Sequence, residues 1–368
     1  ILAVLVLLLG KFLVQRIRFL RNFNIPEPVA GGLVVATVIY TLHEAIGLTL
    51  AFESSLQTAF MLIFFSSIGL SANFAKLREG GMGLVVFLAL IAVFIVVQNT
   101  VGIGLASLLG LDPLIGLVAG SITLVGGHGT AGAWGSVLEG QYGLTGATTL
   151  GIACATFGLV IGGLLGGPLA KRLITRHQLA QARPDAEQLA PTAPTVPEGG
   201  ERTNFEFPSN APRLITADAA IETLALFAGC LAFAEFMKHM TKGTAIQLPT
   251  FVWALGTGVV IRNVLDYVFN VQVFDRAIDV FGNAGLSIYL AMALLSLKLW
   301  ELTDLAAPLM VILAVQTVMM GLYAGFVTFR LMGKNYDSSV LFVGHCGFGM
   351  GATPTAVANM QAITNQYG

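Results

Sequence analysis

The chain has 368 residues, of which 55% are hydrophobic and only 11% are charged, and its net charge is −1. Soluble domains carry about 25% charged residues, so this composition excludes an ordinary soluble protein and indicates one that crosses a membrane several times. The near-neutral charge gives no sign of a nucleic-acid partner. Three cysteines stand apart in apolar surroundings, which is typical of packing residues rather than of disulfides or metal ligands: Cys154, Cys230 and Cys346.

Nine apolar stretches approach the length of roughly 20 residues that a membrane-spanning helix needs. The first one is short, and because the chain begins with Ile1 rather than Met we expect residues before it. Its positive charges follow the apolar run instead of preceding it, which argues against a signal peptide. In chain order the predicted spans are 1–14, 28–46, 54–74, 82–108, 145–170, 218–240, 248–268, 277–297 and 305–332.

The lysine and arginine residues fall mostly on one side of this topology. If the loop after the first span is cytoplasmic, only Lys238, Lys242 and Lys298 of the 19 basic residues lie outside. Because cytoplasmic loops carry the excess of positive charge, we expect the N-terminus outside and the central loop in the cytoplasm.

The central loop divides the chain. Residues 177–217 are rich in Pro, Ala and Glu and cannot form a packed core. We predict a flexible cytoplasmic linker between two membrane halves, 1–176 and 218–368.

The two halves resemble each other weakly but in a consistent order. "IPEPVAGGLVVATVIY" in the first half corresponds to "LPTFVWALGTGVVIRN" in the second, and "VVQNTVG" corresponds to "AVQTVMM". Gln98 lies 28 residues before Gly126, and Gln316 lies 28 residues before Gly344. Internal repeats of this kind are typical of secondary transporters.

Each half contains a glycine-rich segment after its fourth span, and neither segment resembles a span. Segments 111–140 and 335–363 each combine an apolar stretch with glycines and polar residues, which predicts a re-entrant hairpin that enters and leaves by one face. Irregular backbone at membrane depth is tolerated only where it is buried in protein or lines a cavity. The alternative is that the glycines only let helices pack closely. The paired positions favour hairpins whose tips meet near the midplane, where helix ends attract ions.

The hairpins supply most of the candidate binding residues. Their glycines let backbone approach a ligand, their hydroxyl and amide oxygens suit an alkali cation or a zwitterion, and Pro354 can begin a short helix. The first hairpin offers Gly126, Gly127, His128, Gly129 and Thr130. The second offers Gly344, His345, Gly347, Gly349, Gly351, Thr353, Pro354, Thr355 and Asn359.

Other polar residues each allow two interpretations. The two histidines occupy related places in the motifs, either as a proton-linked or substrate-contacting pair or, as we favour, as rings that bond a backbone carbonyl and hold each hairpin. Arg262 either pairs with a substrate carboxylate or, as we favour, snorkels to the cytoplasmic surface. Asn73, Gln98 and Gln316 are either supporting polar groups of the site or ordinary interhelical hydrogen-bonding groups.

The sequence resembles the bacterial sodium/glutamate symporters over nearly its whole length. The resemblance rests on "IPEPVAGG" (25–32), "GGHGT" (126–130), "AMALLSLKLWEL" (291–302), "MGKNYD" (332–337) and "GHCGFGMGATPTAVANM" (344–360). It implies an all-α integral membrane protein of two inverted five-helix repeats, each with a glycine-rich hairpin, and the last helix of the second repeat is absent from this chain.

The resemblance also implies a function. It implies import of L-glutamate with sodium as the coupling ion and without a cofactor, across the bacterial inner membrane, and by analogy an elevator-like homodimer among membrane lipids. A symporter for another dicarboxylate or a hydroxy acid such as citrate, or an antiporter, stays open as an alternative. A channel is a further alternative. An intramembrane enzyme is disfavoured, because no paired acids or Ser/His constellation appears at membrane depth.

Overall fold

The computed structural model describes residues 2–22, 25–47, 55–177, 215–244, 247–271, 273–296 and 305–367. Across these residues the chain is helical and contains no strand. Nearly all of the predicted linker 177–217 lies outside the described residues. The helices are α1 (Leu2–Arg16), α2 (Arg18–Asn22), α3 (Glu27–Ile46), α4 (Ser55–Ser71), α5 (Phe74–Glu79), α6 (Gly81–Leu108), α7 (Pro113–Leu117), α8 (Gly127–Tyr142), α9 (Ala147–His177), α10 (Ala217–Met240), α11 (Thr250–Tyr267), α12 (Asp275–Leu295), α13 (Ala306–Tyr323), α14 (Phe329–Leu331) and α15 (Tyr336–Tyr367).

Two π-helical turns extend this pattern. Val118–Ile122 continues α7, and Ala324–Thr328 joins α13 to α14. The first turn therefore lies inside the first glycine-rich segment, and the second turn lies shortly before the second segment.

Each of the nine predicted spans coincides with one of these helices. Six of them are long and apolar enough to cross a membrane: α3, α6, α9, α10, α12, and α13 with α14. The other three, α1, α4 and α11, are shorter or less apolar. The prediction of an all-helical chain with several membrane-spanning helices is thus confirmed at this level.

Helices α3 and α11 begin in the same way. Pro26 precedes α3 with φ −59° and ψ 139°, and Pro249 precedes α11 with φ −56° and ψ 145°. Proline fixes φ and lacks an N–H, so it suits the start of a helix and not its interior. The two stretches that we matched between the halves therefore start helices with the same local backbone geometry.

The helices pack as two bundles. The hairpin bundle contains α6, α7, α9, α13 and α15 around a shared apolar core that includes Phe94, Met320 and Met350. The outer bundle contains α1, α3, α4, α10, α11 and α12. Within it α4 and α11 pack closely, and a Cβ added at Gly69 would lie 3.0 Å from the Cα of Gly258.

Helix α8 lies between the two bundles. A Cβ at Gly129 would lie 2.6 Å from Cε1 of Phe64 on α4, and one at Gly132 would overlap the hydroxyl of Tyr289 on α12. On another side, a Cβ at Gly135 would lie 2.6 Å from the Cα of Thr148 at the start of α9. The glycines of α8 therefore let it contact the outer bundle and α9 at once.

Candidate functional site

The first glycine-rich segment reverses direction at a turn between the π-helical turn and α8. Gly120 leaves the helical conformation, with φ −109° and ψ −135°, and Gly127 opens α8 with φ +74°. Before the turn, α7 runs back along α6, because Gly116 lies against Gly102 and the amide of Ser121 donates to Oδ1 of Asn99 (3.0 Å). We call residues 120–128 the first tip.

The second glycine-rich segment also doubles back, although it is helical from residue 336 to 367. A Cβ at Gly347 would lie 2.6 Å from the Cα of Ala356, and one at Gly344 would lie 2.6 Å from Sδ of Met360. Nine residues of straight helix would span about 13 Å, so the chain must turn between these positions. We call residues 349–353 the second tip.

The run 344–351 thus differs from our expectation of a broken, non-helical segment. Glycine in a helix interior costs roughly 1 kcal/mol relative to alanine. Close packing of the two arms offsets this cost, because the arms approach so closely that a side chain at Gly347 has no room. The glycines therefore allow the two arms to pack against each other while the backbone stays helical.

Two neighbouring residues of α6 bond to both tips. Nε2 of Gln98 donates to the carbonyl oxygen of Gly349 (3.1 Å), and Oδ1 of Asn99 accepts from Ser121. Nε2 of Gln316, on α13, donates to the backbone oxygen of Gln98 (2.9 Å). Both glutamines are fully buried. The structure therefore brings the two predicted glutamines together with both tips, where α6 passes α13.

The two histidines bond threonine hydroxyls and not the backbone carbonyls that we expected. Nε2 of His128 lies 3.0 Å from Oγ1 of Thr156 on α9. Since that hydroxyl already donates to the carbonyl of Ile152 (2.8 Å), His128 must donate its proton from Nε2. Nδ1 of His345 lies 2.7 Å from Oγ1 of Thr328, in the π-helical turn before α14.

The surroundings of the two histidines also differ. His128 lies at the end of the first tip and contacts the next helix, whereas His345 precedes its tip and contacts the previous one. The ring of His345 is enclosed edge-on by aromatic rings at centroid distances of 5.3 to 5.8 Å: Phe87, Phe94 and Tyr323. The histidines therefore do not occupy matching positions, and these contacts favour a role in holding each segment in place.

The remaining hairpin candidates lie at or beside the tips. Oγ1 of Thr130 donates to the carbonyl of Gly127, and Oγ1 of Thr355 donates to that of Gly351 (2.8 Å). Because each hydroxyl donates along its own helix, its oxygen lone pairs stay available. Asn359 instead bonds α9, through Nδ2 and the carbonyl of Gly162 (2.9 Å). Thr353 is exposed at the second tip, and Pro354 lies inside α15.

Asn73 and Arg262 belong to a separate network in the outer bundle. Nδ2 of Asn73 donates to Oδ2 of Asp266 (2.9 Å), and its Oδ1 caps α5. Arg262 is 5% exposed and pairs with Asp266 (2.8 Å) and with Asp275. It therefore neither snorkels nor stands ready for a substrate carboxylate, since two carboxylates already balance its charge.

Sequence reasoning missed several of the partners. Asn99 follows Gln98 directly in an apolar run, so the polar pair was visible, but only the fold places it between two tips. Thr156 and Thr328 carry no sequence signal, because a threonine in a helix usually bonds its own backbone.

A cavity of about 330 Å³ opens between α4 and α12. Its lining is partly polar: Phe64, Ser67, Ile68, Ser71, Ala72, Asp279 and Asn283. Phe64 also packs against Gly129 at the start of α8. The cavity is large enough for a small solute. The side chain of Phe64 lies between this cavity and the residue next to the first tip.

Comparisons with known proteins agree on one family. The chain matches the family described as sodium/glutamate symporter over residues 1–368. It is 51% identical to the sodium/glutamate symporter of Haemophilus influenzae over 367 residues, and 52% identical to those of Escherichia coli K12 and Shigella flexneri over 366. Each alignment covers 100% of this chain and 88% of the relative.

Proposed function

The chain belongs to the sodium/glutamate symporter family, and from that premise we propose that it imports L-glutamate with sodium across a bacterial inner membrane. The observation that carries the proposal is the meeting of two folded-back tips at Gln98 and Asn99. Helix ends gathered inside a membrane protein attract ions of both signs, amino ends for a carboxylate and carboxyl ends for a cation.

We propose that the two tips are the ends of re-entrant hairpins in two inverted repeats. The doubling-back of residues 336–367, the reversal of α7 along α6, and the proline-led starts of α3 and α11 support this arrangement. The bias of Lys and Arg supports an outside N-terminus and a cytoplasmic central linker between halves 1–176 and 218–368.

The binding residues are proposed to be those of the two hairpins. They combine uncharged hydroxyl and amide oxygens with backbone that glycine leaves accessible, and the relatives' printed name supports sodium and glutamate as their ligands. The proposed set is Gly126, Gly127, His128, Gly129, Thr130, Gly344, His345, Gly347, Gly349, Gly351, Thr353, Pro354, Thr355 and Asn359.

The proposed mechanism is alternating access by an elevator-like movement, in a homodimer surrounded by lipid. The hairpin bundle would move as a unit against the outer bundle, with α8 at their interface. Sodium binding completes the site for glutamate, and the sodium gradient and membrane potential, at about 2.3 kcal/mol per charge per 100 mV, drive the cycle. The cavity beside Phe64 would be the path by which solute leaves the first tip.

The test is uptake of radiolabelled L-glutamate into proteoliposomes that contain the purified protein. Uptake should require an inward sodium gradient, stop when potassium replaces sodium, and be competed by unlabelled glutamate but not by citrate. Competition by citrate would assign the protein to the hydroxy-acid alternative. No sodium-driven uptake by correctly inserted protein would overturn the proposal.

A further inference from the structure

Two oxygen atoms at the meeting point of the tips have no hydrogen-bond partner. Gln98 and Gln316 are both 0% exposed, and Oε1 of each lacks a partner among the described residues. Buried side-chain oxygens are rarely left in this condition, because each loses its bonds to water without replacement.

The orientation of both amides is fixed by their nitrogen atoms. Nε2 of Gln98 donates to the carbonyl of Gly349, and Nε2 of Gln316 donates to the carbonyl of Gln98. A carbonyl oxygen can only accept a hydrogen bond, and the only donor of a glutamine amide is its nitrogen, so flipping either amide would place oxygen against oxygen. The unsatisfied atoms are therefore the oxygens, which can accept a hydrogen bond or coordinate a cation.

Any ion held by these oxygens would be coordinated by neutral groups. Residues 118–128 and 344–356 contain no Asp or Glu, and no group of three or more His, Cys, Asp or Glu among the described residues could hold a metal ion. Neutral amide and carbonyl oxygens are suitable ligands for hard cations. The first arm of each glycine-rich segment also ends at its tip, and helix carboxyl ends attract positive charge.

We propose that Oε1 of Gln98 and Oε1 of Gln316 are ligands of the co-transported sodium ion. The inference rests on the proposed function, which supplies sodium as the ion, and it adds where the ion binds. Because the same glutamine side chains hold the second tip and join α6 to α13, sodium at this point would order both helices and the second tip together.

The test compares two substitutions of one residue. Gln316→Met removes both the oxygen and the N–H donor, whereas Gln316→Glu keeps a ligand oxygen, removes the donor and introduces a carboxyl group. Thr317→Val is the matched control, because Thr317 is the next residue on α13 and its hydroxyl bonds only its own helix, at Leu313. The readout is the sodium concentration that half-maximally raises the melting temperature of the purified full chain, without glutamate.

We expect Gln316→Met to raise that sodium concentration about tenfold or more, which is the range for lost support at metal sites. For Gln316→Glu this sodium concentration should stay much closer to that of the unmodified protein, and for Thr317→Val it should equal that of the unmodified protein. Gln98→Met provides a second, independent variant with the same expected loss, for the case that one of the two does not fold.

Two results would overturn the inference. Equal impairment of the Met and Glu variants would mean that only the N–H donor matters, and an unchanged sodium response in the Met variants would mean that the oxygens bind no sodium. A third outcome concerns glutamate. If the melting temperature of the Met variants responds normally to sodium but no longer responds to glutamate at saturating sodium, the oxygens bind the ammonium group of the substrate instead. Because the readout needs no transport, sodium stabilisation without glutamate uptake would refute the proposed function and leave the sodium site standing.

Discussion

Replacing Gly347 by alanine should separate the two arms of the second glycine-rich segment. The added Cβ would lie 2.6 Å from Cα and 2.7 Å from N of Ala356. Ordinary contacts of a Cβ begin near 3.4 Å, so the arms must part by about 0.8 Å. Both opposing atoms are backbone and cannot rotate away, whereas a Cβ at Gly351 would meet side-chain atoms of Thr355, of which Oγ1 is the nearest (2.8 Å).

The cost follows from the overlap. Overpacking of a tight interior costs about 1–3 kcal/mol, which corresponds to about a 5- to 150-fold loss of the correctly packed tip. Sodium-driven glutamate uptake should decrease by a factor in that range, while the amount of protein in the membrane stays near normal. The intrinsic preference of a helix for alanine, up to about 1 kcal/mol, offsets part of this cost, so the loss should lie in the lower part of the range.

Gly104→Ala is the matched control. Gly104 lies in the interior of α6 with no atom within 4 Å of its Cβ position, so alanine there gains the helix preference without the overlap. Initial rates of radiolabelled glutamate uptake, normalised to inserted protein, should be native for this variant. Equal rates for Gly347→Ala and Gly104→Ala would refute the close packing of the two arms.

The outer bundle and the bundle interface give further expectations. Arg262→Met should lower the melting temperature, because two carboxylates lose their buried cation at a cost of about 1–3 kcal/mol after allowance for their partial exposure. Arg276→Met is the control, since Arg276 is an exposed neighbour. Equal melting temperatures of the two variants would count against the network. Gly132→Ala should slow uptake by overlapping the hydroxyl of Tyr289, and Tyr289→Phe in the same chain should restore part of the rate. Absence of any rescue would mean that the interface adjusts elsewhere.

The spanning helices were predictable because their signal is local. An apolar run of sufficient length specifies a helix in a membrane regardless of what it contacts. The exclusion of an ordinary soluble fold followed from composition alone.

The conformation of the second glycine-rich segment was not predictable. Its glycine content indicated irregular backbone, whereas residues 336 to 367 are helical and double back near Gly351. Sequence reports the intrinsic cost of glycine in a helix, but it does not report the arm-on-arm contact at Ala356 that compensates for that cost. The same limit applies to His345 and Thr328, which are 17 residues apart and meet only through the π-helical turn.

Arg262 shows why charges were the hardest to place. A basic residue near the end of an apolar run is compatible with snorkelling, with substrate binding and with an internal ion pair. Its partners, Asp266 and Asp275, lie in α11 and at the start of α12, so the choice depended on how two helices pack.

Because Gln98 and Asn99 are successive residues, one peptide unit of α6 joins the two tips. Any ligand that fixes one tip restrains this peptide, and a second ligand at the other tip then has less disorder left to remove. Affinities linked in this way are reciprocal: the factor by which sodium tightens glutamate binding must equal the factor by which glutamate tightens sodium binding. A transporter with such a link seldom completes its transport cycle with only one ligand bound, since the ordered state is reached with both ligands and is poorly populated with one.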